Sequence, residues 1–281
     1  MVIGGRARVG LAVVCAFTLA AGVLGLAVKA SSATPIVWTS TMSTVTVGGV
    51  SRSYLLVRPH DVSHSRLPVL VVLHGRLATP QVERQRSDFP AVVGPALLVY
   101  PAGYQRSWNA GTCCAGALKA GVDDVGFVRA VVRQVLTEER DADPKRVLLV
   151  GFSNGGRLAY RVTCAEPKLF QAYAVVDAVP SWPCPQRAAI PFVDVNLQHD
   201  PLVPLAAASK QVASQRSING CSASADTTVH GHASVTAWGC RRGRSVEAVV
   251  YPGTVHAWPT GDAVTPPAES LIWDFFRGLS H

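Results

Sequence analysis

Ser153 stands in Gly151-Phe152-Ser153-Asn154-Gly155-Gly156, directly after the apolar run Arg146-Val147-Leu148-Leu149-Val150 and ahead of a helical pattern. A serine with glycine two positions away on either side is forced onto a tight strand-to-helix turn. That turn lifts the hydroxyl above the sheet edge and opens the next backbone N–H towards a developing negative charge. The pattern predicts a nucleophile for acyl transfer; an ordinary helix cap needs neither the glycines nor the buried strand. Such a hydroxyl attacks a carbonyl carbon only when a base removes its proton and an acid orients that base. The base is expected at His256, in Pro252-Gly253-Thr254-Val255-His256-Ala257-Trp258-Pro259, and the acid at Asp200, in Gln198-His199-Asp200-Pro201. Asp177 is the rival acid. Asp194 ranks third because it falls inside an expected strand.

The oxygen that becomes negative in the reaction needs two donors. The backbone N–H of Asn154 is one, and that of Arg76, in His74-Gly75-Arg76, is the other; His74 then holds the loop rather than acting as a second base. Trp258, Trp108 and Trp182 are candidate aromatic platforms for substrate, although for 108 and 182 a core or disulfide-shielding role fits equally well. Because neutral His256 must accept a proton, activity should decline in acid, and a rate indifferent to pH between about 5 and 8 would argue against this role.

These residues need a rigid frame. Continuous apolar runs at 69–73, 96–100, 147–150, 172–176 and 192–195 read as strands covered on both faces, hence a parallel sheet. Ahead of them, residues 43–47 and 52–57 alternate as a hairpin turned at Gly48-Gly49. The clearest helix starts at the caps Asp123-Asp124 and sets Val128, Val131, Val132, Val135 and Leu136 on one face. A strand at 247–251 and a helix at about 267–278 close the chain. Strand and helix alternate, so an α/β fold with helices on both faces of a mostly parallel sheet is expected, and the short segment before residue 191 leaves no room for a large cap domain.

Residues 1–33 carry Arg6 and Arg8, a long apolar stretch and a small-residue end at Ser31 and Ala33, which reads as a signal peptide or an uncleaved membrane anchor. Either places the catalytic domain, residues 34–281, outside the cell: secreted, or anchored to the outer face of the cytoplasmic membrane. Losing the leader removes three basic residues and no acid, so the formal charge falls from +8 to +5. Basic residues are scattered and Arg241-Arg242-Gly243-Arg244 reads as a solvated loop, so no nucleic-acid partner is indicated. Cys113, Cys114, Cys164, Cys184, Cys221 and Cys240 form an even set suited to disulfides rather than a metal. Cys221 with Cys240, around a polar loop holding His230 and His232, is the expected pair. Cys113 and Cys114 are left to pair with Cys164 and Cys184 in either order. No metal or cofactor is implied, and a monomer is expected.

Six separated blocks carry a wider likeness: His74-Gly75; Tyr100-Pro101-Ala102-Gly103; Ser107-Trp108-Asn109 with Cys113-Cys114; residues 121–127; the Ser153 block; and His256-Ala257-Trp258-Pro259. Together, across roughly residues 45–280, the chain resembles the polyhydroxybutyrate depolymerase and feruloyl esterase family of secreted α/β-hydrolase esterases. The resemblance implies a Ser153, Asp200, His256 triad that cleaves polyhydroxyalkanoate-type polyesters or feruloyl and acetyl esters of polysaccharides. Two departures stand out: Arg76-Leu77 where the family commonly has a cysteine and a glycine, and Asn196-Leu197 in place of a His-Gly pair before the acid. A serine peptidase of the same fold and a non-catalytic domain that binds a wall polymer are the alternatives.

Overall fold

Strands whose residues are apolar at every position can be buried only in the middle of a sheet, and the chain places them there. The computed structural model describes residues 1–2, 35–60, 66–185 and 187–279, so the leader at 1–33 lies almost wholly outside the described residues. Contacts divide the chain into two units, Met1–Pro35 and Ile36–His281, and the sheet and helices belong to the second. Among the described residues no helix is long and apolar enough to cross a membrane.

The strands are β1 (Trp38–Val47), β2 (Val50–Pro59), β3 (Leu67–Leu73), β4 (Leu97–Pro101), β5 (Ala142–Phe152), β6 (Ala172–Val176), β7 (Phe192–Leu197), β8 (Asp226–His230), β9 (Ala233–Gly239) and β10 (Ser245–Tyr251). They form one sheet in the order β1-β2-β4-β3-β5-β6-β7-β10-β9-β8. The run from β4 to β10 is parallel, and antiparallel pairs flank it on both sides. The helices are α1 (Pro80–Ser87), α2 (Phe89–Val92), α3 (Ala115–Ala120), α4 (Asp124–Glu138), α5 (Asn154–Ala165), α6 (Leu205–Asn219) and α7 (Ala268–Arg277). Two buried apolar layers, one on each face of the sheet, follow directly from the alternation of side chains along each strand.

Local signals behave as their chemistry requires. Asp123 caps α4 by accepting the Gly126 N–H at 2.8 Å, and Val128, Val131, Val132 and Val135 are buried. Asp124 is no cap: it is buried, pairs with Arg52 at 2.8 Å and accepts the Asn109 N–H at 2.6 Å, joining β2, α4 and the loop after β4. The segment between β6 and β7 holds no helix or strand among its described residues.

Two expectations need correction. The polar stretch between Cys221 and Cys240 is not simply a loop, because β8 and β9 form a hairpin there that adds two strands at the sheet edge. The cysteines also divide differently. Cys164 joins Cys184 with Cα atoms 5.9 Å apart, inside the usual disulfide range, and Cys221 joins Cys240, whereas Cys113 pairs with its neighbour Cys114. The reason lies in α5, whose C-terminal turn carries Cys164 to the segment after β6.

Candidate active site

The C-terminal ends of β5, β7 and β10 hold the three candidate residues. Gly151 pairs with Leu73 of β3 and Phe152 with Val176 of β6, so the elbow leaves the centre of the sheet. Ser153 then takes φ 52° and ψ −117°, a strained conformation for a residue with a Cβ, and α5 starts at the next position. A Cβ on Gly155 would collide with the backbone of Leu73 and His74, which is why the turn can be this tight only with glycine there. The Ser153 N–H donates to the Val176 carbonyl at 2.9 Å, pinning the bend to β6.

Ser153 Oγ lies 2.7 Å from His256 Nε2, and His256 Nδ1 lies 2.6 Å from Asp200 Oδ2. The other Asp200 oxygen accepts the N–H groups of Leu202 at 2.6 Å and Val203 at 3.0 Å, so the loop itself locks the carboxylate. The acid and histidine loops are stitched together by backbone: Gln198 donates to Tyr251 and His199 to Gly253, each at 2.9 Å. The His256 ring stacks on Phe152, centroids 5.3 Å apart and planes 19° apart. Sequence reasoning missed that contact, although an aromatic residue immediately before the elbow serine was a visible signal.

The loop after β3 lies against the elbow, since a Cβ on Gly75 would stand 3.5 Å from the Ser153 Cβ. Among the described residues, no hydrogen-bond partner takes the N–H of Arg76 or of Asn154. His74 accepts the Gly103 N–H at Nε2 (2.9 Å), so its Nδ1–H donates to the Gly75 carbonyl (2.8 Å). Burial pushes this imidazole down to about 4, so it stays neutral as a loop brace.

The three tryptophans named as aromatic candidates differ in their surroundings. Trp108 is fully buried, stacks near Phe127, and donates its indole N–H to the His74 carbonyl at 2.8 Å. The Asn154 side chain grips its backbone from both sides, accepting the Trp108 N–H at 2.8 Å and donating to its carbonyl at 3.1 Å. Trp258 is only 4 % exposed and donates to Glu269 at 2.8 Å. Trp108, with no exposed surface, is framework, whereas Trp258 lines a cavity of about 260 Å³ together with Tyr251, Val255 and Ala257. Trp182, 48 % exposed, lies under the Arg161 guanidinium.

Ligand atoms of Asp177, Asp200 and His256 come within 4.8 Å of one another, close enough in principle for a metal. Both His256 nitrogens and both Asp200 oxygens are already hydrogen-bonded, so a cation would have to displace those bonds.

Searched against family models, the chain matches none. A Nocardia uniformis subsp. tsuyamanensis protein named "Putative esterase NocK" is 31 % identical over 173 residues, 59 % of this chain and 50 % of that protein. Feruloyl esterase B of Piromyces equi is 26 % identical over 199 residues, 62 % of this chain and 34 % of its own. The chain thus spans half or less of these two relatives. An acetyl xylan esterase from Aspergillus awamori superimposes with a TM-score of 0.63 at 13 % identity, covering 85 % of this chain and 99 % of its own, and shares the α/β-hydrolase fold.

Proposed function

We propose that this chain is an exported serine esterase that hydrolyses carboxylic esters through an acyl-enzyme on Ser153. The observation that carries this reading is the unbroken hydrogen-bond chain from Ser153 through His256 to Asp200. In the proposed cycle, His256 Nε2 removes the Ser153 proton as Oγ attacks the ester carbonyl carbon. Asp200 holds the Nδ1–H, which fixes the tautomer and stabilises the imidazolium. The Arg76 and Asn154 N–H groups receive the tetrahedral oxygen, and removing such a donor typically costs roughly 100- to 1,000-fold in rate. The alcohol leaves with the proton from Nε2. Water, deprotonated by the same nitrogen, then releases the acid.

Leu77, Leu202 and Val255 are 59 %, 64 % and 60 % exposed, and each lies within two residues of Arg76, Asp200 or His256. Apolar side chains on all three loops, with no cap above them among the described residues, suit an aryl or short hydroxyalkanoyl group on a bulky or polymeric alcohol. The names of the two relatives, an esterase and a feruloyl esterase, support the same class. The test is a panel of feruloyl, acetyl and hydroxybutyrate-oligomer esters, with aminoacyl-anilides as the peptidase arm. Turnover of esters by the wild type, with kcat about a millionfold lower in Ser153→Ala, is expected. Ser153→Ala retaining near wild-type activity, or a fluorophosphonate failing to label Ser153 in the folded protein, would overturn it.

A further inference from the structure

Asp177 follows β6 directly, with φ 44°, a left-handed backbone for a residue carrying a side chain. It is held there by two bonds to the neighbouring strand. Its N–H donates to Val195, and its Oδ1 accepts the Leu197 N–H, both at 2.9 Å. The other oxygen, Oδ2, is buried and has no hydrogen-bond partner among the described residues. Yet a carboxylate oxygen of Asp177 lies within 4.8 Å of ligand atoms of both Asp200 and His256. Buried polar atoms are seldom left without a partner.

We propose that Asp177 is a second positioning acid for His256, able to take over the orientation of the imidazole when the Asp200 side chain is absent. This rests on the reading of Ser153 and His256 given above. The titratable groups facing Asp177 are Asp194 from β7, Asp200 from the loop after β7 and His256 from the loop after β10. Burial, reinforced by the Asp200 charge, pushes the Asp177 carboxyl up to about 7, while the Leu197 N–H pulls the other way. While Asp200 is charged, a protonated Asp177 does not compete for the Nδ1–H, because two carboxylates this close resist ionising together. Once Asp200 is removed, Asp177 releases its proton to solvent more readily. It is then the nearest carboxylate to the imidazole; only a hydrogen bond changes hands.

A purely structural Asp177 would do no more than accept the Leu197 N–H, which an asparagine does equally well. Asp177→Asn, Asp200→Ala and their combination should therefore be compared with wild type for kcat and KM on nitrophenyl acetate. Loss of a triad acid typically costs about 10,000-fold; here Asp200→Ala, which leaves room beside His256, should cost only about 10- to 100-fold. Asp177→Asn alone should cost less than about 3-fold, and the double variant should fall to about the 10,000-fold level. In proton NMR, the far-downfield resonance of a carboxylate-held Nδ1–H should persist in Asp200→Ala and vanish in the double variant. A 10,000-fold loss already present in Asp200→Ala, with that resonance gone, would overturn the proposal even if the double variant folds poorly. Failure of the esterase reading shows separately, as undiminished turnover by Ser153→Ala.

Discussion

Asp194 and Asp200 are six residues apart, both buried, and chemically opposite. Asp200 sits beyond the end of β7, where loop N–H groups are free, and its two oxygens collect bonds from Leu202, Val203 and His256. Asp194 sits inside β7, opposite Val175 on one side and Ala248 on the other, where ladder pairing takes up the strands' N–H groups. Neither of its oxygens has a hydrogen bond of normal geometry among the described residues, and burial pushes the carboxyl up to about 8 against the pull of the Asn196 side chain. It faces a cavity of about 250 Å³ below α6, which it shares with Asn196 and Trp238. The same side chain is thus a fixed acceptor at a strand end and a proton store in mid-strand, because only the strand end leaves backbone donors unpaired.

The sharpest way to break this contrast is Asp200→Asn. Its amide fills the acid's place but presents a donor where the Nδ1–H needs an acceptor, so kcat should fall by about 10,000-fold with little change in melting temperature. Equal activity in the two proteins would show that the Asp200–His256 contact does no orienting. A control lies away from both carboxylates: Cys164→Ser with Cys184→Ser opens a disulfide spanning 20 residues. Denaturant unfolding should then show a loss of about 3 kcal/mol, equal at pH 5 and pH 9.

The smallest effect concerns Asp194 and depends on pH. Its folded-state value of about 8, like that of Asp177 at about 7, exceeds the ordinary carboxylate value. The folded chain therefore binds protons that the unfolded chain has already released between about pH 4 and 8. Stability contributed by these groups is full below about pH 4 and is lost as pH rises through 7 to 8. Asp194→Asn should flatten this decline, with stability near wild type at pH 5 and higher by on the order of 2 kcal/mol at pH 9. Wild-type stability that does not fall between these pH values would sink the account.

Legibility varied with the strength of the local pattern. Runs such as Val69-Leu70-Val71-Val72-Leu73 could be read as buried strands because every side chain demands cover. The β8–β9 hairpin escaped because all five residues of β8 are exposed and polar residues dominate it, so no apolar period marks it. Trp108 was ambiguous because an aromatic ring suits core and substrate alike; its burial depends on the Asn154 clamp, 46 residues away. Asn154 itself was read only for its backbone.

By itself the sequence determined the elbow, the run of parallel strands and the order in which serine, acid and histidine leave them, since each follows from neighbours a few positions apart. Only the tertiary structure decided which carboxylate meets the imidazole. Asp177 and Asp200 both follow a strand, but β10 lies against β7 rather than β6, so the histidine loop emerges beside Asp200 and is sewn to it by backbone hydrogen bonds. Strand order depends on packing between segments distant along the chain, and no local pattern of residues records it.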